Sequence, residues 1–364
     1  MLTNSTIYDY VTSSESLHTF VDEYVWLDSE NNFRSKTRIS SDKQPQEWNF
    51  DGSSTGQATT ACSEVWLTPV KIIRDPFRDA PNYSAAECRI VLCSLEGDTR
   101  SKSLDTFSSV ADMIPMFGFE QEVFVFDAAN ERPVGWENTH VQKPQKNFYC
   151  GVGSQHISPI LRQYADEVLI NAKYSGLKVT GFNFEVAIGQ IEFQVCDYGI
   201  NAADSLVLLR YIMERTAEKF KVCINYHPKA LGPEWNGSGL HTNFSVTETR
   251  VELDATKRLD AIMKMVSKLG KRHDTAMKFY GTDNKLRLTG KHETSSYTKF
   301  TAGVGDRTAS IRIPSRPEYQ RYFEDRRPAS NADPYLVSQF ILETCLLDKT
   351  DESIVEIDYS VSAC

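Results

Sequence analysis

Residues 117–126 read FGFEQEVFVF, and this stretch limits the possible folds more than any other. Its aromatic and β-branched residues, with no proline among them, predict a β-strand. Successive side chains of a strand point to opposite faces, so Glu120 and Glu122 lie on one face. Two carboxylates on an otherwise apolar strand are costly to bury without a compensating cation. A divalent metal is one such cation; arginine pairing, or simple exposure to solvent, is the more ordinary explanation.

The size and charge of the chain disfavour several classes of protein. With 364 residues it is long enough for two domains, and a net charge of −9 disfavours a nucleic-acid or anionic-membrane binder. The eight cysteines form no CxxC pair, which indicates free thiols in a reducing compartment. We expect no signal peptide and no membrane-spanning segment, because the required apolar runs are missing. These features predict a soluble, cytoplasmic protein with neither nucleic acid nor membrane as a partner.

The first hundred residues predict a small unit rich in strands. A loosely periodic stretch within residues 1–20 could form a short helix. Asp51 and Gly52, in the sequence WNFDGSSTG, mark a turn and an exposed loop. The polar, unpatterned residues 97–103 predict a linker to the next domain. Strands are expected at residues 23–27, 64–73 and 89–94.

The rest of the chain predicts a larger region in which strands and helices alternate. Asp333 and Pro334 begin one helix, as N-cap and first helical residue. We find no internal repeat, Walker loop or GxGxxG motif, so a nucleotide would not bind through a P-loop. Apolar residues at helical spacing predict further helices over residues 160–175, 203–220 and 253–269.

Polar and apolar residues alternate along residues 182–195, and the phase of the alternation reverses at Gly189. A reversal at glycine predicts a turn or bulge between two strands. Such a turn can bring Glu185 and Glu192 to one wall of a site, although a regular strand would place them on opposite faces. A solvated sheet face is the alternative explanation.

Residues 239–246 alternate again, with His241, Asn243 and Ser245 on one face. The glycines of the preceding WNGSG sequence allow the backbone to approach a ligand closely. A cluster of arginines follows, and a guanidinium binds carboxylate or phosphate through two parallel hydrogen bonds. Carboxylates, one histidine and arginines on strands interrupted by glycine fit a metal–phosphate site better than a solvated surface. The arginines are Arg287, Arg307, Arg312, Arg326 and Arg327.

Nine motifs, found in one order along most of the chain, resemble those of the eukaryotic-type (class II) glutamine synthetases. They are WNFDGSSTGQA, RDPFR, FGFEQE, YCGVG, NFEVAIGQIEFQ, WNGSGLHTNFS, RLTGKHETS, ASIRIP and YFEDRRP. The resemblance implies an α+β fold. A small N-terminal β-grasp domain, residues 1–100, is expected to precede a catalytic domain, residues 101–364, whose antiparallel β-sheet funnel is flanked by helices.

The resemblance also implies a reaction. The family joins ammonia to the γ-carboxylate of L-glutamate through γ-glutamyl phosphate, with ATP as co-substrate and two or more Mg²⁺ or Mn²⁺ ions per site. A set of oxygen ligands with one imidazole suits either ion. By motif position, one metal would be held by Glu122, Glu185 and Glu192, and the second by Glu120, His241 and Glu324.

Other roles follow from motif position in the same way. Asp51 takes the position used to deprotonate ammonium, and Glu293 lies on a flap that excludes water from the acyl phosphate. The groups that would neutralise charge on the transferring phosphoryl are the metals with Arg307, Arg312 and Arg326. Those that would bind glutamate are Asn236, Gly237, Arg287, Arg307 and Arg326. Those expected near ATP are Asn243, Ser245, Arg307, Arg312 and Tyr322.

The family implies a homo-oligomer, a decamer of two stacked pentameric rings, in which the Asp51 loop serves the neighbouring subunit. Met116 stands where the family usually has a tryptophan near the nucleotide. We expect this difference to affect the affinity for the nucleotide. Two alternatives stay open: a ligase of the same fold that uses another amine, and a non-catalytic structural or regulatory relative. The retained ligands, Asp51 and Glu293 argue against the second, because a structural protein has no need of them.

Overall fold

A computed structural model of the protein describes residues 19–78, 86–136 and 145–351. The chain divides into two compact units between Glu96 and Gly97. The helix suggested for residues 1–20 falls outside the described residues except at its end, where Thr19 and Phe20 already belong to a strand. None of the helices in the described ranges combines the length and hydropathy that a membrane span requires.

The first unit contains a five-stranded sheet. Its strands are β1 (Thr19–Leu27), β2 (Phe33–Ser40), β3 (Trp48–Asp51), β4 (Glu64–Arg74) and β5 (Ala86–Ser94). They lie in the order β2-β1-β5-β4-β3, and all neighbouring pairs are antiparallel except β1 and β5. The three strands predicted for this unit are therefore confirmed.

Aromatic side chains form the core of this sheet. Tyr24 and Trp26 of β1 belong to one cluster with Phe50 of β3, Leu67 of β4 and Val91 of β5. The rings of Trp26 and Phe50 lie with their centroids 4.4 Å apart. The strand itself is buried along its whole interior, so both of its faces are covered.

The second unit is built on a nine-stranded sheet, antiparallel except for one parallel pair, β12 and β13. Its strands are β6 (Met116–Asp127), β7 (Arg132–Pro133), β8 (Val179–Phe184), β9 (Gln190–Tyr198), β10 (Val222–Asn225), β11 (Leu240–Ser245), β12 (Ala302–Val304), β13 (Ile311–Ile313) and β14 (Phe323–Asp325). The main path runs β12-β13-β14-β11-β6-β9-β8, while β7 and β10 pair with β6. The strand predicted from FGFEQEVFVF is thus central, since it bonds to both β9 and β11.

Helices cover this sheet. They are α1 (Thr99–Ser109), α2 (Pro159–Tyr174), α3 (Ile200–Phe220), α4 (Thr247–Val251), α5 (Ala255–Lys271), α6 (His273–Phe279) and α7 (Pro334–Cys345). The predicted helices at residues 160–175, 203–220 and 253–269 are confirmed. The predicted cap is confirmed too, since the Asp333 carboxylate accepts hydrogen bonds from the backbone N–H groups of Tyr335 and Leu336.

Two sequence predictions are wrong. Residues 97–103 are not an unstructured linker, because Asp98 caps α1 by accepting a hydrogen bond from the Ser101 N–H at 2.6 Å. A helix this polar lacks the apolar periodicity that reveals helices in a sequence. Cys62 is disulfide-bonded, although no CxxC spacing marks it. The free thiols among the described residues are Cys88, Cys93, Cys150, Cys196, Cys223 and Cys345.

The two faces of β6 have different surroundings. Phe117, Phe119, Val123 and Val125 are fully buried on one face, and α3 packs against β6 and β9. The other face carries the two glutamates of the motif. A strand covered on one side and open on the other can hold charged groups at a cleft without exposing its core.

Candidate active site

The second unit contains an open cleft of about 530 Å³ whose lining is mostly charged. The cleft lies against the open face of β6, and strands β9, β11, β13 and β14 add side chains to its wall. Its carboxylates are Glu120, Glu122, Glu185, Glu192, Glu293 and Glu324, and its cationic or imidazole groups are Lys146, Arg287, Arg307, Arg312, Arg326, His241 and His292.

The turn predicted at Gly189 is confirmed, and it brings three glutamates together. Gly189 has φ +71°, and a Cβ there would lie 2.7 Å from the Pro133 Cβ. Glu185 lies in this turn, where its N–H bonds the Gln190 carbonyl at 3.0 Å. Across the ladder, Glu122 of β6 pairs directly with Glu192 of β9.

These three carboxylates form a group suited to a metal ion. One oxygen from each of Glu122, Glu185 and Glu192 lies within 4.8 Å of the others. Oxygen donors from several strands are the ligand type that Mg²⁺ and Mn²⁺ prefer. The donor set therefore fits the first metal site expected from the motifs.

The electrostatics of this group favour a bound cation. Burial, followed by the charge of Glu185, raises the pKa of Glu122 to about 8. Burial, followed by the charges of Glu120 and Glu122, raises the pKa of Glu192 to about 8. Burial and the charge of Glu192 raise the pKa of Glu185 to about 7. Clustered carboxylates that oppose each other's ionisation are stabilised when a cation replaces the protons.

A second group lies beside the first and includes the imidazole. His241 Nδ1 lies 3.4 Å from Glu120 Oε2 and 3.5 Å from Glu324 Oε1. Burial and the nearby Arg326 guanidinium hold the pKa of His241 well below its usual range, which favours the neutral form that ligates metals. Arg312 and Arg326 each form an ion pair with Glu324. Ligand atoms of Glu120 and His241 lie within 4.8 Å of one another together with one of Glu192, whereas both oxygens of Glu324 are already paired with these arginines. The expected set of Glu120, His241 and Glu324 therefore stays a prediction.

Comparison with known proteins decides the family. The family model described as glutamine synthetase, catalytic domain, matches residues 100–347, which is more than half of the chain. The chain belongs to the glutamine synthetase family.

Curated glutamine synthetases are similar to the chain over most of its length. It is 42% identical over 340 residues to the glutamine synthetase of Neurospora crassa, covering 89% of this chain and 91% of that protein. It is 42% identical over 351 residues to the putative glutamine synthetase of Acanthamoeba polyphaga mimivirus, covering 91% and 96%. It is 43% identical over 343 residues to the glutamine synthetase of Debaryomyces hansenii, covering 88% of each. The predicted family, its eukaryotic type, the α+β fold and the ligase class are confirmed.

Three of the groups expected to bind glutamate, Asn236, Gly237 and Arg287, lie together on one wall of the cleft, and Arg307 and Arg326 also line it. Arg287 is buried, and its Nη2 donates to the Arg326 carbonyl at 3.0 Å and lies 3.2 Å from His241 Nε2. At Gly237 a Cβ would lie 2.5 Å from the Pro228 carbonyl oxygen, so glycine is needed there. Asn236 beside it also lines the cleft.

The segment around Glu293 crosses the same wall. His292 and Glu293 have φ of +53° and +61°, a conformation that costs energy for residues other than glycine. Arg326 Nη2 donates to the Glu293 carbonyl at 3.2 Å. The strained segment is therefore tied to one of the arginines expected to bind phosphate.

The expected nucleotide residues are only partly gathered at the cleft. Asn243 Nδ2 donates to Glu120 Oε1 at 2.8 Å, which puts this side chain next to the metal ligands. Ser245, in contrast, is buried and accepts a hydrogen bond from Arg250 Nη1 at 3.0 Å. Tyr322 is not among the described residues that line the cleft. Burial raises the pKa of Tyr322, and the nearby Arg312 guanidinium partly opposes that rise, so the two side chains lie close together.

Asp51 lies in the first unit, where it already has a structural role. It caps a short 3₁₀ turn, Gly52–Thr55, and accepts hydrogen bonds from the Ser53 N–H at 3.0 Å and the Ser54 hydroxyl at 2.7 Å. These bonds, that of the Ser53 hydroxyl first, lower the pKa of Asp51. The carboxylate is exposed and ionised.

Several lining residues were missed by the sequence reasoning. Lys146 and Tyr149 come from the segment before α2, and Asn183 and Gln194 come from β8 and β9. Gln194 Nε2 donates to Glu192 Oε1 at 2.6 Å, so it orients a metal-site carboxylate. The NFEVAIGQIEFQ motif contained both amides, and its strand alternation was the signal that could have placed them beside the glutamates.

Proposed function

We propose that the cleft of the second unit is where this glutamine synthetase joins ammonia to glutamate at the expense of ATP. The convergence of carboxylates from β6, β9 and β14 with His241 and four arginines carries this proposal. A site for glutamate alone would not need two groups of metal-type ligands. A site for ATP alone would not need Arg287 beside Gly237 and Gly239 of the WNGSG segment.

We assign two divalent cations to the proposed site, with Glu192 close to both groups of ligands. Glu122, Glu185 and Glu192 would hold the first, while Glu120, His241 and Glu324 would hold the second. Mg²⁺ or Mn²⁺ suits this set, and either ion, when bound, supplies positive charge to the phosphates of ATP. Arg307, Arg312 and Arg326 add fixed positive charge, and they stabilise the phosphoryl group as it moves to the γ-carboxylate.

Glutamate binding is assigned to the wall that carries Asn236, Gly237 and Arg287, together with Arg307 and Arg326. Asn243, Ser245 and Tyr322 are assigned to the nucleotide with Arg307 and Arg312. To contact the nucleotide, the Ser245 hydroxyl would have to break its hydrogen bond with Arg250, or Arg250 would have to contact the nucleotide in its place. Met116 pairs with Ser245 across the β6–β11 ladder. Any effect of Met116 on nucleotide affinity would therefore act beside Ser245.

The second half of the reaction needs a base and a dry site. Asp51 is proposed to bind ammonium and take its proton, because an exposed, ionised carboxylate attracts a cation. Glu293 is proposed to close the site, which protects the acyl phosphate from water. Glu293 lies close enough to the first metal site to affect it: after burial and the charge of Glu192, the charge of Glu293 also raises the pKa of Glu185.

The architecture and assembly are also proposals. We assign residues 1–100 to a β-grasp domain and residues 101–364 to the catalytic domain, a boundary close to the division between Glu96 and Gly97. We propose a decamer of two stacked pentameric rings, in which the Asp51 loop serves the neighbouring subunit, and a cytoplasmic location.

The amine specificity can be tested directly. ADP release is measured with glutamate and ATP plus ammonium, and in parallel with a panel of primary amines. We expect release with ammonium and little with the other amines. ADP release that depends only on another amine would assign the chain to a different glutamate–amine ligase. If neither ammonium nor any of the amines stimulates ADP release, the proposed site is contradicted.

A further inference from the structure

The face of β6 turned away from the cleft contains one polar side chain among apolar ones. Gln121 lies between the metal-site residues Glu120 and Glu122 and is fully buried. Its neighbours on the same face, Phe119 and Val123, are apolar. Burying an amide costs free energy unless its donors and acceptor are used, so the partners of Gln121 indicate what it does.

The partners of Gln121 are Arg210 of α3 and Ser330, and we call these three residues the Gln121 brace. Arg210 Nε donates to Gln121 Oε1 at 2.7 Å. Gln121 Nε2 donates to Ser330 Oγ at 2.9 Å and to the Ser330 carbonyl at 3.1 Å. Arg210 Nη2 donates to the carbonyls of Ser330 and Ala332 at 2.9 and 3.0 Å. The brace therefore joins α3, β6 and the segment that follows Arg326 and Arg327.

Besides the bonds to the Gln121 side chain, the contacts of the brace with β6 converge on the backbone carbonyl of Glu122. The Glu122 carbonyl accepts from Gln121 Nε2 at 3.0 Å and from the Ser330 hydroxyl. On its other side, the Glu122 N–H donates to the Gly239 carbonyl at 3.1 Å, and Glu122 Oε2 accepts from the Gly239 N–H at 2.7 Å. Glu122 is thus held at three of its polar groups, and Oε1 remains directed at the carboxylate group, 3.9 Å from His241 Nδ1.

We infer that the Gln121 brace is a positioning device for the first metal site, an inference that rests on the proposed function. It fixes Glu122 relative to the Arg326 segment, so that a metal ligand and a phosphate-binding arginine keep a set separation. A fully satisfied buried network gives this rigidity, because each bond constrains groups that an apolar contact would leave free to shift. Groups that orient metal ligands typically change metal affinity about 10–100-fold when they are removed.

The chain offers a matched pair of substitutions that separates positioning from simple packing. Ser330 and Ser338 are both fully buried serines. The Ser330 hydroxyl donates to the Glu122 carbonyl, whereas the Ser338 hydroxyl, in α7, has no hydrogen-bond partner within the described ranges. Ser330→Ala and Ser338→Ala each remove one interior oxygen, but only the first removes a hydrogen bond to Glu122.

The experiment measures Mn²⁺ binding to the metal-free, full-length protein by calorimetry, beside the Mg²⁺ dependence of turnover. We expect Ser330→Ala to weaken Mn²⁺ binding about 10-fold, and to raise the Mg²⁺ concentration needed for half-maximal turnover while the rate at saturating Mg²⁺ largely recovers. Ser338→Ala should keep wild-type Mn²⁺ affinity. Equal Mn²⁺ affinity in wild type and Ser330→Ala, or an equal loss in both variants, would overturn the inference.

Two further variants test the brace in case Ser330→Ala does not fold. Gln121→Glu keeps an oxygen for Arg210 but places a second oxygen against two carbonyls, so it should weaken Mn²⁺ binding more than Ser330→Ala does. Ser330→Thr keeps the hydroxyl and should retain most of the affinity. A wild-type protein that binds no Mn²⁺ would refute the proposed metal site, whereas wild-type binding with unaffected brace variants would refute only the brace.

Discussion

Glu122 of β6 and Glu192 of β9 stand directly opposite each other across the antiparallel ladder. Like charges at directly paired positions destabilise a sheet, and both side chains are buried. Burial, then the charge of Glu120 and then that of Glu122, raise the pKa of Glu192, so part of this cost appears in the titration of Glu192. A bound cation would relieve this repulsion, so the pairing of β6 with β9 supports the metal site that we propose there.

Replacement of Glu192 by glutamine should abolish turnover without unfolding the protein. The amide keeps the size of the side chain but removes one charge from the Glu122, Glu185 and Glu192 group. The metal-free protein should be as stable as wild type or more stable, because a repulsion is relieved. Activity and thermal unfolding are measured together over a range of Mg²⁺ concentrations.

Glu167 provides the control for this substitution. It lies on α2, away from the residues that line the cleft, and forms an ion pair with Lys219 at 2.8 Å, so Glu167→Gln should leave both turnover and Mg²⁺ dependence unchanged. Wild-type turnover of Glu192→Gln at limiting Mg²⁺ would remove Glu192 from the metal site.

Asp51→Asn should separate activation of glutamate from capture of ammonium. Asparagine keeps the turn that Asp51 caps, but it removes the charge that would attract and deprotonate ammonium. We expect the variant to bind ATP and glutamate and to form glutamine poorly, with the loss in the ammonium-dependent steps. Ammonium is titrated at saturating ATP and glutamate in both proteins. Unchanged turnover and ammonium dependence would leave Asp51 as a turn residue only.

Mixing two inactive variants should restore activity if neighbouring subunits share a site. Asp51→Ala removes the proposed ammonium group, and Arg326→Ala removes a proposed phosphate group. After subunit exchange, some interfaces would contain an intact Asp51 beside an intact Arg326, so partial activity should return. Sedimentation that finds an active monomer, or a mixture that stays inactive after proven exchange, would contradict shared sites.

Gly189→Ala should destabilise the protein more than Gly176→Ala. Both glycines have positive φ, +71° and +86°, which costs a residue with a Cβ about 1–2 kcal/mol. At Gly176 nothing lies within 4 Å of the added Cβ, whereas at Gly189 it would lie 2.7 Å from the Pro133 Cβ. Overpacking adds about 1–3 kcal/mol there. Urea unfolding of the two variants gives the comparison, and equal losses would show that the turn adapts to the added group.

The free energy of unfolding should fall as pH rises from about 5 to 7.5, partly because of Glu214. Burial raises the pKa of this carboxyl to about 7 from an ordinary value of 4.5, although the nearby Tyr226 hydroxyl opposes the rise. The folded protein therefore holds a proton in this range that the unfolded chain has lost, and folding weakens as the pH rises. The slope from one such group is at most about 1.4 kcal/mol per pH unit.

Glu214→Gln tests this origin. The variant should show a flatter dependence of stability on pH across this window, and a smaller difference from wild type at pH 5 than at pH 8. Saturating Mg²⁺ in both samples limits titration at the metal site. A parallel pH dependence in the two proteins would mean that Glu214 contributes nothing to it.

The sequence was informative wherever a local pattern had one structural solution. Alternation predicted β6, the glycine at residue 189 predicted the turn, and Asp333 followed by proline predicted the start of α7. Sequence patterns did not predict α1, because a helix made mostly of polar residues has no apolar residues at helical spacing to reveal it. It also could not foresee that Ser245 would be bonded to Arg250, since nothing in the β11 sequence distinguishes that serine from one facing the cleft.

The sequence by itself determined the family, the ligand chemistry and the strand that carries it, because motifs and side-chain alternation are local. Only the tertiary structure decided which groups meet: Glu122 opposite Glu192, His241 between Glu120 and Glu324, and Ser330 on the carbonyl of Glu122, 208 residues away. Register and burial come from pairing between distant segments, where one shifted residue would turn a ligand away from the cleft. The charges, and therefore the pKa values of the site, exist only once those segments have met.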